Sequence, residues 1–402
     1  MRRLAAVGIA LAIAAGSAAA AFAAGGVAGL PSELLRSKYP GYDEVASWEF
    51  MSGEYDALAE AGASPELVLG SSELKPGPAG PAHPAAMFSD GRFGATSVIA
   101  GRAGVNDLWQ AIELGALAPH LPEGSRRAVV FVSMQWFMCY RDPQSSFPGV
   151  FSQGAYDAFM ANGSIPDDVK RRVAARAEEY GALGSGGSDA CPLARATSAV
   201  DRVARERVDD LRLAWRLRSN GEAEAPGEDG AAAGGSEPCP DDLPETASGE
   251  PDWEEIVAAA RERAVEASSS NDLGLYDAWY EKKYDAWLSG AQSSWKIGEE
   301  GYFSEQELED FELMLEVCRA TGVEPLVVIQ PVKGAVYDQT AYTRDVRARY
   351  YDMVRSACAR AGVRTADFSD CEYDPLFLRD YSHPSDYGAA LYSQALYGFW
   401  RG

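Results

Sequence analysis

The sequence has little histidine and fewer basic than acidic side chains. Its three histidines, His83, His120 and His383, lie far apart in the 402-residue chain, whereas a His-rich metal site usually draws several ligands from short spacings. Lys and Arg number 36 against 60 Asp and Glu, which gives a net charge of −24. Sequence-independent nucleic-acid binding depends on Lys and Arg at the phosphates, so this balance argues against a nucleic-acid partner. We expect neither a metal nor a cofactor.

The longest uncharged segment lies at the N-terminus. After Arg2 and Arg3 no charged residue occurs before residue 33, and Leu4–Gly25 supplies the roughly 20 apolar residues that a membrane-spanning helix needs. The preceding arginines favour an orientation with the rest of the chain outside the cell. A cleaved signal peptide explains the segment equally well. The sequence therefore predicts an anchor or signal peptide over 1–32, a single membrane crossing at most, and an extracellular domain over 33–402.

The six cysteines include no Cys-x-x-Cys pair. An exported chain can form disulfides, but the sequence does not choose among the many possible pairings. Cys191 and Cys239 are the better candidates for a bridge. Cys318 and Cys358 lie in helical patterns, where we expect buried free thiols.

Five short β-rich runs alternate with helical patterns. The runs are Glu66–Gly70, Thr96–Ala100, Ala128–Ser133, Pro325–Gln330 and Val363–Phe368, and the clearest helical patterns are Val105–Leu117, Ser304–Thr321 and Thr343–Ala361. Most of the runs are almost continuously apolar, which is typical of parallel strands covered on both faces. The pattern predicts an α/β fold of three layers, α/β/α, around a parallel sheet of about five strands.

Between the third and fourth runs we expect a large, mostly helical insertion at 145–300. A proline followed by two acids starts a predicted helix at residue 166, and a second predicted helix covers 194–218. Residues 221–255 contain 12 acidic and no basic side chains, which indicates a flexible acidic loop. The aromatic side chains of 272–294 recur at helical spacing, for which core packing is favoured over ligand stacking.

Candidate catalytic residues follow the first and last runs. Ligands of open α/β sheets bind beyond the carboxyl ends of the strands, and Gly70-Ser71-Ser72 follows the first run. A serine hydroxyl needs a base to become a nucleophile. His383, three residues after Asp380, is the histidine that follows the last run, and the aspartate could fix its tautomer. Taken separately, a helix-capping serine and a surface histidine explain these residues as well.

Candidate oxyanion donors follow the first three runs. They are the backbone N–H of Ser72, the loop containing Gly101 and Gly104, and the side-chain amide of Gln135. Glycines allow close approach of a backbone, and oxyanion holes are built from such N–H groups and amides. Each residue alone is ordinary in a loop, but together they form a coherent site.

Together these motifs resemble the SGNH/GDSL hydrolase superfamily and, more closely, the DltD family of D-alanyl-lipoteichoic acid biosynthesis proteins. The matching stretches are Gly70–Leu74, His83-Pro84, Gln135–Phe137, Asp310–Leu315, Pro331–Gly334, Tyr337-Asp338, and Asp380 with His383. The resemblance implies a membrane-anchored extracellular serine acyltransferase or esterase that places D-alanyl groups on lipoteichoic or teichoic acid. It also implies membrane-bound D-alanyl transfer proteins, among them a membrane-bound O-acyltransferase, as partners.

Carried over to this chain, the resemblance assigns Ser72 as nucleophile, His383 as base and Asp380 as the residue that orients it. Gly101, Gly104 and Gln135 are assigned to the oxyanion site. The chain departs from the family at Lys333, where Asn is usual, at Met134, where Pro is common, and over 384–388; for Lys333 we expect a surface position. A cell-wall O-acyl esterase and a non-catalytic scaffold for D-alanyl transfer are the alternatives.

Overall fold

The computed structural model describes residues 25–77, 79–123, 126–139, 143–183, 206–219, 243–295, 297 and 301–402. The predicted membrane segment, up to residue 24, lies outside these residues, as does the candidate cysteine pair Cys191–Cys239. Within the described ranges, no helix has both the length and the apolar character needed to cross a bilayer. Cys318 and Cys358 are buried free thiols, as expected.

Five parallel strands form one sheet in the order β2-β1-β3-β4-β5. They are β1 Pro65–Leu69, β2 Thr96–Ala100, β3 Arg127–Val132, β4 Glu324–Ile329 and β5 Arg364–Asp367. Each lies within two residues of its predicted run. The α/β class and the five-stranded parallel sheet are therefore confirmed.

The longer helices are α1 Trp48–Glu60, α2 Asp107–Leu117, α3 Gln153–Ala161, α4 Asp167–Glu179, α5 at 206–219, α6 Trp253–Ala267, α7 Asp277–Ser294, α8 Glu305–Thr321, α9 Arg344–Ala361 and α10 Asp386–Arg401. Single-turn α-helices occur at Tyr42–Val45, Pro84–Met87, Met134–Phe137, Pro143–Ser146 and Gly334–Tyr337, and 3-10 turns at Val27–Gly29, Ser32–Leu34, Ser72–Leu74, Ala118–His120, Phe147–Gly149 and Ser369–Tyr373.

Successive strand residues point to opposite faces of the sheet. Strands β1 to β4 are buried on both faces, whereas the edge strand β5 is largely exposed. Leu67 and Leu69 belong to a core formed with α1, α2, α8 and α9. Val68, between them, belongs to a second core formed with α6 and α10. This double coverage explains why the strands read as nearly continuous apolar runs rather than as alternating ones.

Local capping sets where two long helices begin. The Asn106 side chain accepts from Trp109 N at 3.1 Å, so α2 starts two residues later than its predicted pattern. Ser304 Oγ accepts from Glu307 N at 3.2 Å and caps the start of α8. Glu307 Oε1 accepts from Asp107 N at 3.0 Å and so links α8 to α2.

Part of the predicted acidic loop has regular structure. Residues 220–242 lie outside the described residues, but 243–252 contain a β-bridge between Glu245 and Pro251, and α6 begins at Trp253. Arg92 donates to Glu245 Oε1 at 2.6 Å and to a neighbouring backbone carbonyl. Residues 253–255 therefore belong to a helix and not to a loop, while the flexibility predicted for 221–255 stays a prediction.

The strand order leaves a crevice beyond the carboxyl ends of β1 and β3. The chain leaves β1 to form β2 on one side and later returns to form β3 on the other side. At such a switch point the two connections diverge beyond the carboxyl ends of the strands and leave room for a ligand. The residues after β1 and β3 therefore face a common space.

Candidate active site

The turn after β1 holds Ser72 in a braced position. Gly70 N donates to Ala100 O at 3.1 Å, which continues the sheet pairing, and Ser72 then opens a 3-10 turn. The buried Glu73 carboxylate accepts from Ser71 N at 2.5 Å. Burial raises the pKa of Glu73. The turn therefore has its own internal hydrogen bonds, which limit the positions that Ser72 can adopt.

His83 braces the same turn from the other side. Its Nε2 lies 2.9 Å from the backbone oxygen of Glu73, and its Nδ1 accepts from Ala85 N at 3.2 Å. Burial lowers the pKa of His83 to about 3, so the ring is neutral and carries its proton on Nε2. The ring therefore acts here as a fixed hydrogen-bond bridge. His120, by contrast, pairs with Asp56 on another part of the surface.

Ser72, His383 and Asp380 form one continuous hydrogen-bond chain. His383 Nε2 lies 2.9 Å from Ser72 Oγ, and its Nδ1 lies 2.9 and 3.0 Å from the two carboxylate oxygens of Asp380. This is the geometry in which a carboxylate fixes an imidazole tautomer and the other ring nitrogen faces a hydroxyl. The histidine is only partly buried, so the chain of hydrogen bonds ends at an accessible serine.

Asp380 is held in its charged form. Burial opposes its ionisation, but His383, the Arg379 guanidinium and the Ser382 N–H outweigh burial and hold the pKa of Asp380 well below its usual range. Two backbone groups, Ser382 N and His383 N, donate to its Oδ1 at 2.9 and 2.8 Å. A carboxylate that accepts several hydrogen bonds stays ionised when buried.

The predicted oxyanion residues separate into two groups. Gly104 and Gln135 line the same cavity as Ser72. Gly101 does not line it: at φ +155° a Cβ there would lie 1.9 Å from Gly70 O, so its role is to let the two loops approach closely. Gln135 Nε2 also donates to Tyr337 OH at 3.1 Å, which orients the amide.

The cavity above Ser72 has a volume of about 620 Å³. Its described lining combines hydroxyl and amide groups with aromatic rings: Ser71, Ser72, Glu73, Ala103, Gly104, Ser133, Gln135, Trp136, Ser145, Ser146, Trp287, Trp295, Gln330, Tyr381, Ser382 and His383. This volume suits a small acyl group together with part of its donor or acceptor.

Lys333 is not the surface residue that we expected. Its side chain is buried, and Nζ donates to the backbone oxygens of Gly274, Pro375 and Leu378 at 3.1, 2.6 and 2.8 Å. Burial lowers the pKa of Lys333 to about 8. All three ammonium donors are used, so the side chain ties the loop before Asp380 to the insertion.

Sequence reasoning missed several lining residues. Gln330 directly follows β4. It could therefore have been predicted in the same way as the candidates after the first three runs, by its place beyond the carboxyl end of a strand. Tyr381 lies between Asp380 and His383, yet only its packing reveals its place in the cavity. Trp287 was predicted to pack in a core, whereas its ring also lines the cavity.

Two comparisons with known proteins cover most of the chain. A family model described as the DltD protein matches residues 54–401, which include all five strands and the hydrogen-bonded Ser72, Asp380 and His383. Protein DltD of Bacillus subtilis (strain 168) is 26% identical over 337 residues, which make up 83% of this chain and 82% of that protein. The chain belongs to the DltD family.

Proposed function

We propose that this protein is an extracellular serine acyltransferase that acts in the D-alanylation of lipoteichoic or teichoic acid. The observation that carries the proposal is the hydrogen-bond chain from Asp380 through His383 to Ser72, which ends in a cavity. Ser72 is the nucleophile, His383 the general base and Asp380 the residue that holds the imidazole tautomer.

The first half-reaction acylates the enzyme. His383 Nε2 takes the proton of Ser72 Oγ as this oxygen attacks the carbonyl carbon of a D-alanyl donor. The Ser72 and Gly104 backbone N–H groups have no acceptor among the described residues, so they and the amide of Gln135 are available for the developing oxyanion. The imidazolium then returns its proton to the departing donor group, which leaves a D-alanyl ester on Ser72.

The second half-reaction releases the acyl group. A hydroxyl of the acceptor polymer gives its proton to His383 Nε2 and attacks the ester carbonyl, after which Ser72 Oγ is reprotonated. Water in place of the polymer hydroxyl would make the same site an esterase. The identity of the second nucleophile therefore separates the transferase from the cell-wall O-acyl esterase.

We also propose the architecture that goes with this role. The domain over 33–402 is SGNH-like, the helical insertion over 145–300 forms part of the wall of its site, and the segment over 1–32 anchors it to the outer face of the membrane. The polymer and the membrane-bound D-alanyl transfer proteins, including a membrane-bound O-acyltransferase, are the proposed partners. Recovery of full-length protein in washed membranes tests the anchor.

The test of the enzymatic role is covalent labelling by a fluorophosphonate. We expect labelling of the full chain to disappear in Ser72→Ala and to persist in Ser71→Ala, the adjacent serine whose hydroxyl bonds to the carbonyl of Arg102. Labelling that does not depend on Ser72 would contradict both enzymatic functions and favour the scaffold.

Envelope analysis then separates the transferase from the esterase. A strain whose chromosomal copy carries Ser72→Ala should lose esterified D-alanine from its teichoic acid. Ser72-dependent labelling together with an unchanged D-alanine content would favour the esterase.

A further inference from the structure

One wall of the catalytic cavity is aromatic. Trp136 comes from the turn after β3, Tyr381 from the turn between Asp380 and His383, and Trp287 and Trp295 from the last part of the insertion. Trp136 and Trp295 are buried, while Trp287 and Tyr381 are partly exposed. The insertion therefore reaches the site and brings indole rings to it.

These rings form a continuous surface that begins at the catalytic imidazole. The Tyr381 ring meets the His383 ring edge-on, with centroids 5.9 Å apart. Trp287 stacks on Tyr381 with centroids 4.7 Å apart, and Trp295 meets Trp287 edge-on at 5.2 Å. Since Ser72 and these rings line the same cavity, an acyl group on Ser72 shares that cavity with them.

The acidic side chains near the nucleophile already accept hydrogen bonds from other groups of the protein. Among the described lining residues Glu73 is the one acidic side chain, and no Lys or Arg occurs there. Glu73 accepts from Ser71 N, and its buried position raises its pKa. Asp380 is used by His383 and by two backbone N–H groups. Besides the acids, the electron-rich groups of the lining are the hydroxyl and amide oxygens and the aromatic rings, and the rings are the ones that attract a cation through their π faces.

We infer that the wall formed by Trp287, Trp295 and Tyr381 is a subsite for the protonated amino group of the acyl substrate. The inference rests on the proposed function and deepens it by naming the feature of the substrate that this wall recognises. In an aminoacyl ester the nitrogen lies only about 2.5 Å from the carbonyl carbon. The ammonium must therefore sit next to the attacked carbon, inside the cavity that these rings line.

The physical basis is the attraction between a cation and the face of an aromatic ring. Trp is the strongest partner, and desolvation in a cavity increases the interaction. The amino group stays mostly protonated near pH 7. We therefore expect acyl groups that carry an ammonium to bind better than neutral acyl groups of the same shape.

The experiment measures binding without turnover. The full chain carrying Ser72→Ala is titrated near pH 7 with D-alanine methyl ester and, separately, with methyl D-lactate, which replaces the ammonium by a hydroxyl. Ligand-observed NMR gives the dissociation constants. We expect the cationic ester to bind about 2- to 30-fold more tightly.

Variants of α7 test which side chain causes the preference for the cationic ester. In the Ser72→Ala background, Trp287→Leu should abolish the preference, whereas Trp287→Phe, which keeps a ring, should retain part of it. Tyr280→Leu is the matched control, because Tyr280 lies on the same helix and stacks on Tyr284 without lining the cavity. It should keep the full preference.

Three outcomes overturn the inference. The first is equal affinity for the two esters, and the second is no measurable binding of the cationic ester. The third is a preference for the cationic ester that persists in Trp287→Leu. Fluorophosphonate labelling uses neither ester, so the two tests are independent. Labelling of Ser72 without a preference for the cationic ester refutes only this inference. Absence of labelling refutes the proposed function.

Discussion

The loop that carries Asp380 and the interior of α2 hold buried acids in opposite states. In the loop, Asp380 has hydrogen-bond partners for both oxygens and is held charged, with its pKa lowered. In α2, a helix buried on every side, Glu113 has no hydrogen-bond partner among the described residues for either oxygen. Burial raises the pKa of Glu113 to about 8.

The difference shows that burial alone does not decide the state of a carboxyl group. Both side chains are almost completely buried. What separates them is the presence of an imidazole, a guanidinium and two backbone N–H donors around Asp380. A charge placed inside a protein persists only when nearby groups replace its hydration. The first region is thus organised for a charge and the second for a neutral acid.

The largest expected effect comes from removing the charge of Asp380. Asp380→Asn should lower the rate of Ser72 labelling by about 10⁴-fold, because an amide favours the wrong imidazole tautomer. The measurement is the second-order rate constant with a fluorophosphonate. A loss of less than about tenfold, with an unchanged unfolding midpoint, would remove Asp380 from the proposed mechanism.

The next effect comes from Lys333, which supports the loop that carries Asp380. Lys333→Met leaves three carbonyl groups, two of them in buried hydrogen bonds, without their donor and should lower the free energy of unfolding by about 3 kcal/mol. Urea unfolding measures it. Lys282→Met, on the exposed side of α7, is the control and should change the stability by less than about 0.5 kcal/mol. Similar losses in both variants would mean that the three bonds add nothing specific.

A smaller effect, which appears only when the free energy of unfolding is measured as a function of pH, tests the state of Glu113 in α2. The pKa of Glu113 is raised in the folded protein, so its contribution to stability is complete below the unfolded pKa of about 4.3 and is lost as pH rises through about 8. Glu113→Gln cannot ionise and should reduce the loss of stability between about pH 5 and pH 8.5.

Urea unfolding at several pH values measures this change. Glu60→Gln, at the exposed end of α1, is the matched control and should leave the wild-type pH dependence in place. An equally steep pH dependence in Glu113→Gln would show that Glu113 is ionised in the folded protein and would break the contrast with Asp380.

The smallest effect concerns an ion pair at the periphery. Arg92 and Glu245 are in contact at 2.6 Å but both are partly exposed. Arg92→Ala should lower the free energy of unfolding by at most about 1 kcal/mol. Urea unfolding with and without added salt checks this. A much larger loss would mean that residues 243–255 depend on Arg92 for their position.

The elements whose formation depends on residues close together in the chain were predicted from the sequence. The β1 and β3 runs are recognisable because apolar residues follow one another, and α2 because Val105–Leu117 has a helical pattern. The order of the strands brings Ser72 and His383 to one edge, so their meeting could be inferred from the fold class. The catalytic roles of these residues are still predictions.

The features that were missed depend on distant contacts. Lys333 is buried by backbone groups of Gly274, Pro375 and Leu378, which lie 42 to 59 residues away in the chain. No local pattern distinguishes such a lysine from an exposed one. In the same way, the placement of Trp287 beside Tyr381 depends on how the insertion folds back over the sheet.

The hydrogen bond between His383 and Ser72 joins positions 311 residues apart. During synthesis the serine emerges long before the histidine, and α10, which packs against the second core, follows only after it. A partly synthesised chain therefore holds Ser72 without the hydrogen-bond partner that it has in the folded protein. Under the proposed mechanism such a chain has a nucleophile without its base, so we do not expect it to react with esters.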